Sequence, residues 1–274
     1  MESIPELEVI NELAVRENKI ASICLRVNPN IKAHTHTHIR TGVAENKFGI
    51  AFDEIMYVIK LANTMSNITF KGLHFHIGSQ ITEMDDFISL CMCINRLLEM
   101  MDVEGIKAEI INVGGGLGVD YDTPQMHAIP DFHAYFQTYI NNLQLRPWQT
   151  LHFELGRSVV AQCGTLFTRV LYVKKGVQKQ FAIVDAGMTD LIRPALYHAH
   201  HKIENISSTA KTYEYYDVVG PICESTDVFD KQVGMPTTKR GDILAIHSIG
   251  AYGEVMASHY NCRALPKAYT DKEI

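Results

Sequence analysis

No uninterrupted apolar run in this 274-residue sequence approaches the length of a membrane-spanning helix, so no membrane partner is expected. Positive charge is not in excess either. Lys and Arg number 25 against 31 Asp and Glu, for a net charge of −6 and a pI near 6.1, which gives no footing for nucleic acid or an acidic membrane surface. There is no CxxC pair. The six cysteines, Cys24, Cys91, Cys93, Cys163, Cys223 and Cys262, are scattered, and Cys91-Met92-Cys93 is too tight for the usual zinc spacing, so no metal is expected. The N-terminal stretch MESIPELEVINELAV lacks the basic start and compact apolar core of a secretory signal, being acidic and amphipathic. A cytosolic (cytoplasmic) protein with reduced thiols is the expectation. Short-period repeats and low-complexity segments are missing too. What is present is 46% hydrophobic and 20% charged, a soluble globular composition long enough for one large domain or two ordinary ones.

The chain is organised around residues 109–120, EIINVGGGLGVD. Residues 109–113 are short, apolar and β-branched, which predicts a strand buried on both faces. The strand runs straight into Gly114, Gly115, Gly116 and Gly118. Consecutive glycines leave backbone N–H groups uncovered and permit positive φ, so such a loop can wrap a phosphate; a plain turn is the other reading.

From the N-terminus, Ser3 and Glu6 form an S-x-x-E capping box with Pro5 in the first turn, predicting a helix with Leu7, Ile10 and Ala14 on one face. A strand follows at 22–27. Asp53 is expected to cap a second helix that buries Ile55, Val58, Ile59 and Ala62. Residues 70–76 predict a strand, 85–101 a long helix burying Leu90, Ile94, Leu97 and Met101, 131–143 a helix, and 150–154 a strand. Four strand–helix alternations call for a parallel sheet, and each strand ends in polar or glycine residues, as at the C-terminal mouth of a (βα)8 barrel. Four units leave either an open sheet or half a barrel. Beyond about residue 165 helical period weakens, and strand-like runs at 166–173, 181–184, 216–219 and 243–246 predict a second, mostly antiparallel β domain, with 205–211 an exposed loop. The expected domains are 1–164 and 165–274.

Several side chains stand where chemistry could occur. His34, His36 and His38 alternate with threonines but have no carboxylate or cysteine beside them. His74 and His76 share a strand face. His76, next to Gly78-Ser79, is a candidate site residue, and the Ser79 hydroxyl could serve a phosphate. Glu154 and Arg157 in ELGR stand at the next strand end, as a structural ion pair or as site groups. Arg193 in LIRPALY could fork onto a carboxylate. Cys223-Glu224 could supply a thiol that would need a partner base, and Tyr252 sits in GAYG.

Together these segments resemble the pyridoxal-phosphate-dependent, alanine-racemase-like amino-acid decarboxylases, and among them the diaminopimelate decarboxylases. The matching stretches are RVNP at 26–29, THIRTG and ENKFGI within 37–50, LHFHIGSQI at 73–81, NVGGGLG at 112–118, FELGRS at 153–158, VDAGMTDLIRPALY at 184–197, GPICESTD at 220–227 and GAYGEVMAS at 250–258. ELGR departs from the family's EPGR by Leu155. The resemblance implies the C-terminal half of a (βα)8 barrel followed by a β domain, pyridoxal 5'-phosphate as cofactor, and decarboxylation of meso-2,6-diaminopimelate to L-lysine. It implies a phosphate cradle at Gly114, Gly115, Gly116 and Ser79, ring stacking by His76, a Glu154 partner for the ring nitrogen, and further cofactor contacts from Gly156 and Arg157. Arg157, Arg193, Tyr197, Glu224 and Tyr252 would hold the amino-acid substrate, with Tyr252 also touching the cofactor and Cys223 donating a proton. Cys223 and Glu224 reach a second protomer's site in that family, implying a homodimer. The family's Schiff-base lysine lies upstream of RVNP and no lysine here matches it. An N-terminally shortened chain, inactive in isolation, is therefore expected; a non-catalytic binding subunit or another basic amino-acid decarboxylase of the same fold is the alternative.

Overall fold

The computed structural model of the chain describes residues 1–31 and 47–270. His34, His36, His38 and most of the THIRTG–ENKFGI stretch lie outside the described residues. Contacts gather the chain into two units, Met1–Gly118 with Asp131–Gly156, and Val119–Pro130 with Arg157–Ile274.

In the first unit, helix α1 (Ile4–Arg16) is capped by Ser3, whose hydroxyl accepts the Glu6 N–H. The Glu6 carboxylate accepts the N–H of Glu2 rather than that of Ser3, so the box closes one residue early. Strand β1 (Ala21–Asn28) is followed by a two-residue strand β2 (Ile50–Ala51), too short to carry any periodic signal. Helix α2 (Ile55–Asn63) buries the four expected residues. Its N-cap position is Glu54, with no side-chain cap bond, so the expected capping by Asp53 is not made. Strand β3 (Ile68–Phe75), helix α3 (Met84–Val103), strand β4 (Ile110–Asn112), helix α4 (Phe132–Asn142) and strand β5 (Thr150–His152) complete the unit. Asp131 caps α4 by accepting the Ala134 N–H at 2.8 Å.

The five strands pair in the order β2-β1-β3-β4-β5, every pairing parallel. The outer edge of β1 is met by β2 and by Met1, which donates to the Cys24 carbonyl and accepts the Arg26 N–H. Register places Arg26, His74, Asn112 and His152 side by side across four strands. In-register partners of a parallel sheet share a face, as do residues two apart along a strand. The next row along each chain is therefore Asn28, His76, Gly114 and Glu154. This polar double row also explains why β4 is not buried on both faces as expected: Ile111 is buried, while Ile110 and Asn112 are half-buried.

The helical side is apolar. Leu90, Ile94, Leu97 and Met101 of α3 are buried with the sheet's Leu25, Leu73 and Ile111. Between α3 and α4 an aromatic cluster forms, with the Phe87 ring 4.9 Å from Tyr135 and the Phe153 ring 5.3 Å from Tyr139. Phe87→Ala is expected to cost about 3–5 kcal/mol, because it opens a cavity among rings that cannot collapse. Denaturant unfolding would check this.

The second unit holds a short helix α5 (Arg157–Val160), then β6 (Leu166–Lys175), β7 (Gln180–Val184), a short α6 (Arg193–Tyr197), β8 (Ile203–Asn205), β9 (Tyr213–Val219), β10 (Val228–Pro236) and β11 (Ile243–Ile246). The sheet order is β10-β9-β7-β6-β11-β8, antiparallel except for β7 with β9. Val170, Ala182, Val184, Tyr216, Val218, Leu244 and Ile246 form its core. Two of its strands, β8 and β10, were not expected. Asn205, placed by sequence in an exposed loop, ends β8 and is buried, donating to Thr238 and Asp242 at 2.9 Å each.

Candidate active site

In the first unit the site lies at the C-terminal ends of the parallel strands. Asn112 ends β4 and divides its amide between two tasks. Its Oδ1 accepts the Gly114 N–H at 2.9 Å, starting the glycine turn, and its Nδ2 donates to Glu154 Oε1 at 2.8 Å. The second Glu154 oxygen lies 3.3 Å from His74 Nε2, within ion-pair range but off hydrogen-bond angle. Sequence reasoning passed over Asn112; an Asn two residues before a glycine run, placed to accept the first glycine's N–H, is the signal that could have found it.

The glycines are required by geometry. Gly114 and Gly116 have φ of +71° and +106°. A Cβ at Gly114 would strike the Phe75 carbonyl, one at Gly115 the Glu154 carbonyl, and one at Gly116 would lie 2.6 Å from the Gly78 carbonyl. Three strand ends thus converge on bare backbone. Among the described residues the N–H groups of Gly116 and Gly156 donate to no protein acceptor. His76 stands beside this turn, its Nδ1 accepting the Gly115 N–H at 3.4 Å. Burial pushes its imidazole down to about 4, with Arg26 and His74 adding to the effect, so it is neutral at pH 7. Ser79 follows in the same loop.

In the second unit, residues 119–130 are folded by Asp120. Its carboxylate accepts the N–H groups of Asp122 and Thr123, the Thr123 hydroxyl at 2.6 Å and His127 at 2.7 Å. The Thr123 hydroxyl bond heads the causes that hold this carboxyl well below its ordinary range. Tyr121 leaves this turn and meets two buried arginines. Arg157 Nη1 donates to its phenol oxygen at 2.8 Å and Arg193 Nη1 does so at 3.0 Å. Arg193 also lies over the Tyr121 ring, and Arg157 lies 5.0 Å from the centre of the Tyr252 ring. Tyr252 itself is held at φ +61°. Tyr197, half-buried, ends the helix that Arg193 begins.

The second partner of Arg193 Nη1 is His201 Nε2 at 2.9 Å, and His201 Nδ1 bonds the His247 carbonyl at 2.9 Å. A carbonyl can only accept, so the ring carries its proton on Nδ1 and offers Nε2 as an acceptor. Burial, with Arg193 beside it, pushes His201 down to about 3. Burial likewise lowers Arg193. Among the described residues no carboxylate lies within ion-pair distance of Arg193, and its Nε and Nη2 donate to no protein acceptor. A buried cation held only by neutral groups is costly unless an anion completes it.

Glu224 also belongs to this unit. Its Oε1 accepts the Tyr260 hydroxyl at 2.5 Å, the only side-chain bond it makes among the described residues, and Cys223 beside it is exposed. Sequence reasoning did not single out Tyr121, His201 or Tyr260. The structure joins Arg157 and Arg193 at Tyr121, with Tyr252 against Arg157, and among the described residues Glu224 makes no hydrogen bond or ion pair with Arg193.

The two neutral histidines give a pH dependence. Both have an ordinary value of 6.5 and lie lower when folded, at about 4 and about 3. The unfolded chain therefore takes up protons first as pH falls. Their stabilisation is complete above about 6.5 and is lost as pH drops toward 4 and then 3, to the extent of about 4 kcal/mol for fully buried His201. Melting temperature should fall from pH 7 to pH 4, and His201→Gln should flatten that slope.

Comparison with known proteins bears on the fold and the family. The family model for the pyridoxal-dependent decarboxylase pyridoxal-binding domain matches residues 1–161. Diaminopimelate decarboxylase of Bacteroides thetaiotaomicron is 61% identical over the whole chain, which spans 71% of that relative. The Haemophilus influenzae enzyme of the same name is 42% identical over 96% of the chain, which covers 63% of its length. Among solved structures, diaminopimelate decarboxylase from Helicobacter pylori complexed with L-lysine superposes with a TM-score of 0.87 at 41% identity, over 95% of this chain and 64% of that one. The M. jannaschii enzyme with L-lysine gives a TM-score of 0.86 at 36% identity, over 97% and 62%. The fold is accordingly half of a (βα)8-type barrel followed by a β domain, and among the described residues no helix is long and apolar enough to cross a membrane. The chain belongs to the diaminopimelate decarboxylase family, carboxy-lyases that work through pyridoxal 5'-phosphate.

Proposed function

We propose that this chain carries the cofactor cradle and substrate seat of an enzyme that decarboxylates meso-2,6-diaminopimelate to L-lysine. The observation that carries this reading is Arg193, a buried guanidinium whose Nε and Nη2 edge has no protein acceptor among the described residues. That edge fits the distal carboxylate of a dicarboxylic amino acid in a bidentate fork.

The residues at the strand ends fit pyridoxal phosphate. The N–H groups of Gly116 and Gly156, with Ser79 and the bare backbone of Gly114 and Gly115, would hold its phosphate. When bound, the cofactor supplies an electron-poor ring that takes up the electron pair released as carbon dioxide leaves. His76 is neutral and apolar enough to lie against a ring face. Glu154, held by Asn112, would keep a proton on the ring nitrogen. Arg157, Tyr197 and Tyr252 would orient the substrate beside Arg193. The exposed Cys223 thiol would hand a proton to the carbon that lost carbon dioxide. Glu224 would accept the distal ammonium. Both belong to a loop engaged with Tyr260 rather than with Arg193, which suits a role in the other protomer of a cytoplasmic homodimer.

The test compares L-lysine with 1,5-diaminopentane, which differs only by the carboxylate, in titration calorimetry with this chain. L-lysine is expected to bind more tightly. Equal affinities would refute the carboxylate seat.

A further inference from the structure

Arg193 forms the proposed seat for a carboxylate, and the group held between it and Arg157 has bonding capacity left over. A phenol oxygen has two lone pairs and one proton. Both lone pairs of Tyr121 are taken, by Arg157 Nη1 at 2.8 Å and Arg193 Nη1 at 3.0 Å. Among the described residues nothing accepts its hydroxyl proton. Two guanidinium groups donating to one neutral oxygen repel each other and make that oxygen's proton a better donor, because each bond draws electron density from it.

Arg193 is prevented from turning away. Its Nη1 spends one hydrogen on Tyr121 and one on His201 Nε2, and His201 is fixed by the His247 carbonyl. The His201 ring also meets the Tyr121 ring edge-on, with centroids 5.0 Å apart. Three bonds and one ring contact thus fix which edge of Arg193 remains for a ligand and where the Tyr121 hydroxyl sits beside it.

From this arrangement we propose that Tyr121 is a further carboxylate-binding residue, its hydroxyl donating to the same substrate carboxylate that Arg193 grips, with His201 as the positioning residue for Arg193. The inference rests on the carboxylate reading of Arg193. It makes the seat a three-sided one, in which a bidentate cation and a neutral donor read the anion together. The neutral donor favours a carboxylate oxygen without adding a third cation to a buried site.

The test measures, by titration calorimetry on the full chain, the ratio of L-lysine affinity to 1,5-diaminopentane affinity. Tyr121→Phe preserves the ring and is expected to lower that ratio about tenfold, with 1,5-diaminopentane itself little changed. His201→Gln keeps an acceptor for Arg193 and a donor for the His247 carbonyl, and should stay within about threefold of the parent. His201→Leu should lose as much as Tyr121→Phe; should it fail to fold by circular dichroism, Tyr121→Phe and His201→Gln decide the matter. A Tyr121→Phe ratio within about twofold of the parent overturns the proposal and leaves the arginine seat standing. A parent with no preference for L-lysine refutes the seat, and the proposal with it.

Discussion

Arg193→Ala is expected to abolish the preference for a carboxylate-bearing ligand, costing on the order of 2–5 kcal/mol of L-lysine binding. The argument runs from burial. Arg193 is 5% exposed, is held by Tyr121 and His201, and has no carboxylate of its own among the described residues. A ligand carboxylate that enters this site gives up its hydration, and the guanidinium fork is the one charged group that replaces it, beside the neutral Tyr121 hydroxyl. Without the fork the anion is buried unpaired, and that loss dominates. Stability should move the other way or hardly at all, because a buried uncompensated charge has been removed. Calorimetric titration and a melting curve on the same sample separate the two effects. Unchanged L-lysine affinity would remove Arg193 from the site.

Gly114→Ala is expected to destabilise the first unit by about 3–5 kcal/mol, lowering its melting temperature by about 10 °C, and to abolish pyridoxal phosphate binding. Two penalties add. At φ +71° any side chain is strained, and the new Cβ strikes the Phe75 carbonyl while standing 2.9 Å from His76 Nδ1. Neither neighbour yields cheaply: Phe75 is the last residue of a central strand, and His76 bonds the Gly115 N–H. Gly105→Ala is the internal comparison. Its φ is +67° but a Cβ there meets nothing within 4 Å, so only the backbone strain of about 1–2 kcal/mol applies. Differential scanning calorimetry of the two variants, with cofactor absorbance titrations, reads out both terms. Equal losses would mean that close approach contributes nothing.

The parts of the molecule legible in sequence are those governed by local rules. Helix α3 was readable because Leu90, Ile94, Leu97 and Met101 follow helical spacing, and the parallel sheet because strands and helices alternate. Strand β11 was placed at its full extent. Strand β2 escaped because two residues have no period. Strand β8 escaped because three residues are too few to show a period, β10 because its burial alternates poorly, and Asn205 was placed in a loop because its bonds to Thr238 and Asp242 connect residues far apart in sequence. The same reason hid part of the candidate site. Gly114–Gly116 announce themselves by composition, and His76 and Glu154 by standing at strand ends. Tyr121 lies in a stretch without period, and only the fold brings Arg157 and Arg193 to it. His201 sits among four histidines within residues 198–201 and 247, and nothing local says which one faces an arginine.

The excursion of residues 119–130 into the second unit carries a further consequence for how this protein can be divided. The chain leaves the first unit after Gly118, returns at Asp131, and leaves again after Gly156. No single cleavage or gene breakpoint therefore releases either unit whole. A cut between Gly156 and Arg157 strands Asp120, Tyr121 and their turn with the wrong partner, and removes from the arginine pair the oxygen that both of them bind. Recombination that exchanged only the chain after Gly156 for a homologue's would bring a foreign Arg193 against a resident Tyr121. The seat for the carboxylate is thus inherited jointly by two stretches of sequence that chain order separates, and lineages that shuffle one without the other would show it first as a loss of ligand discrimination.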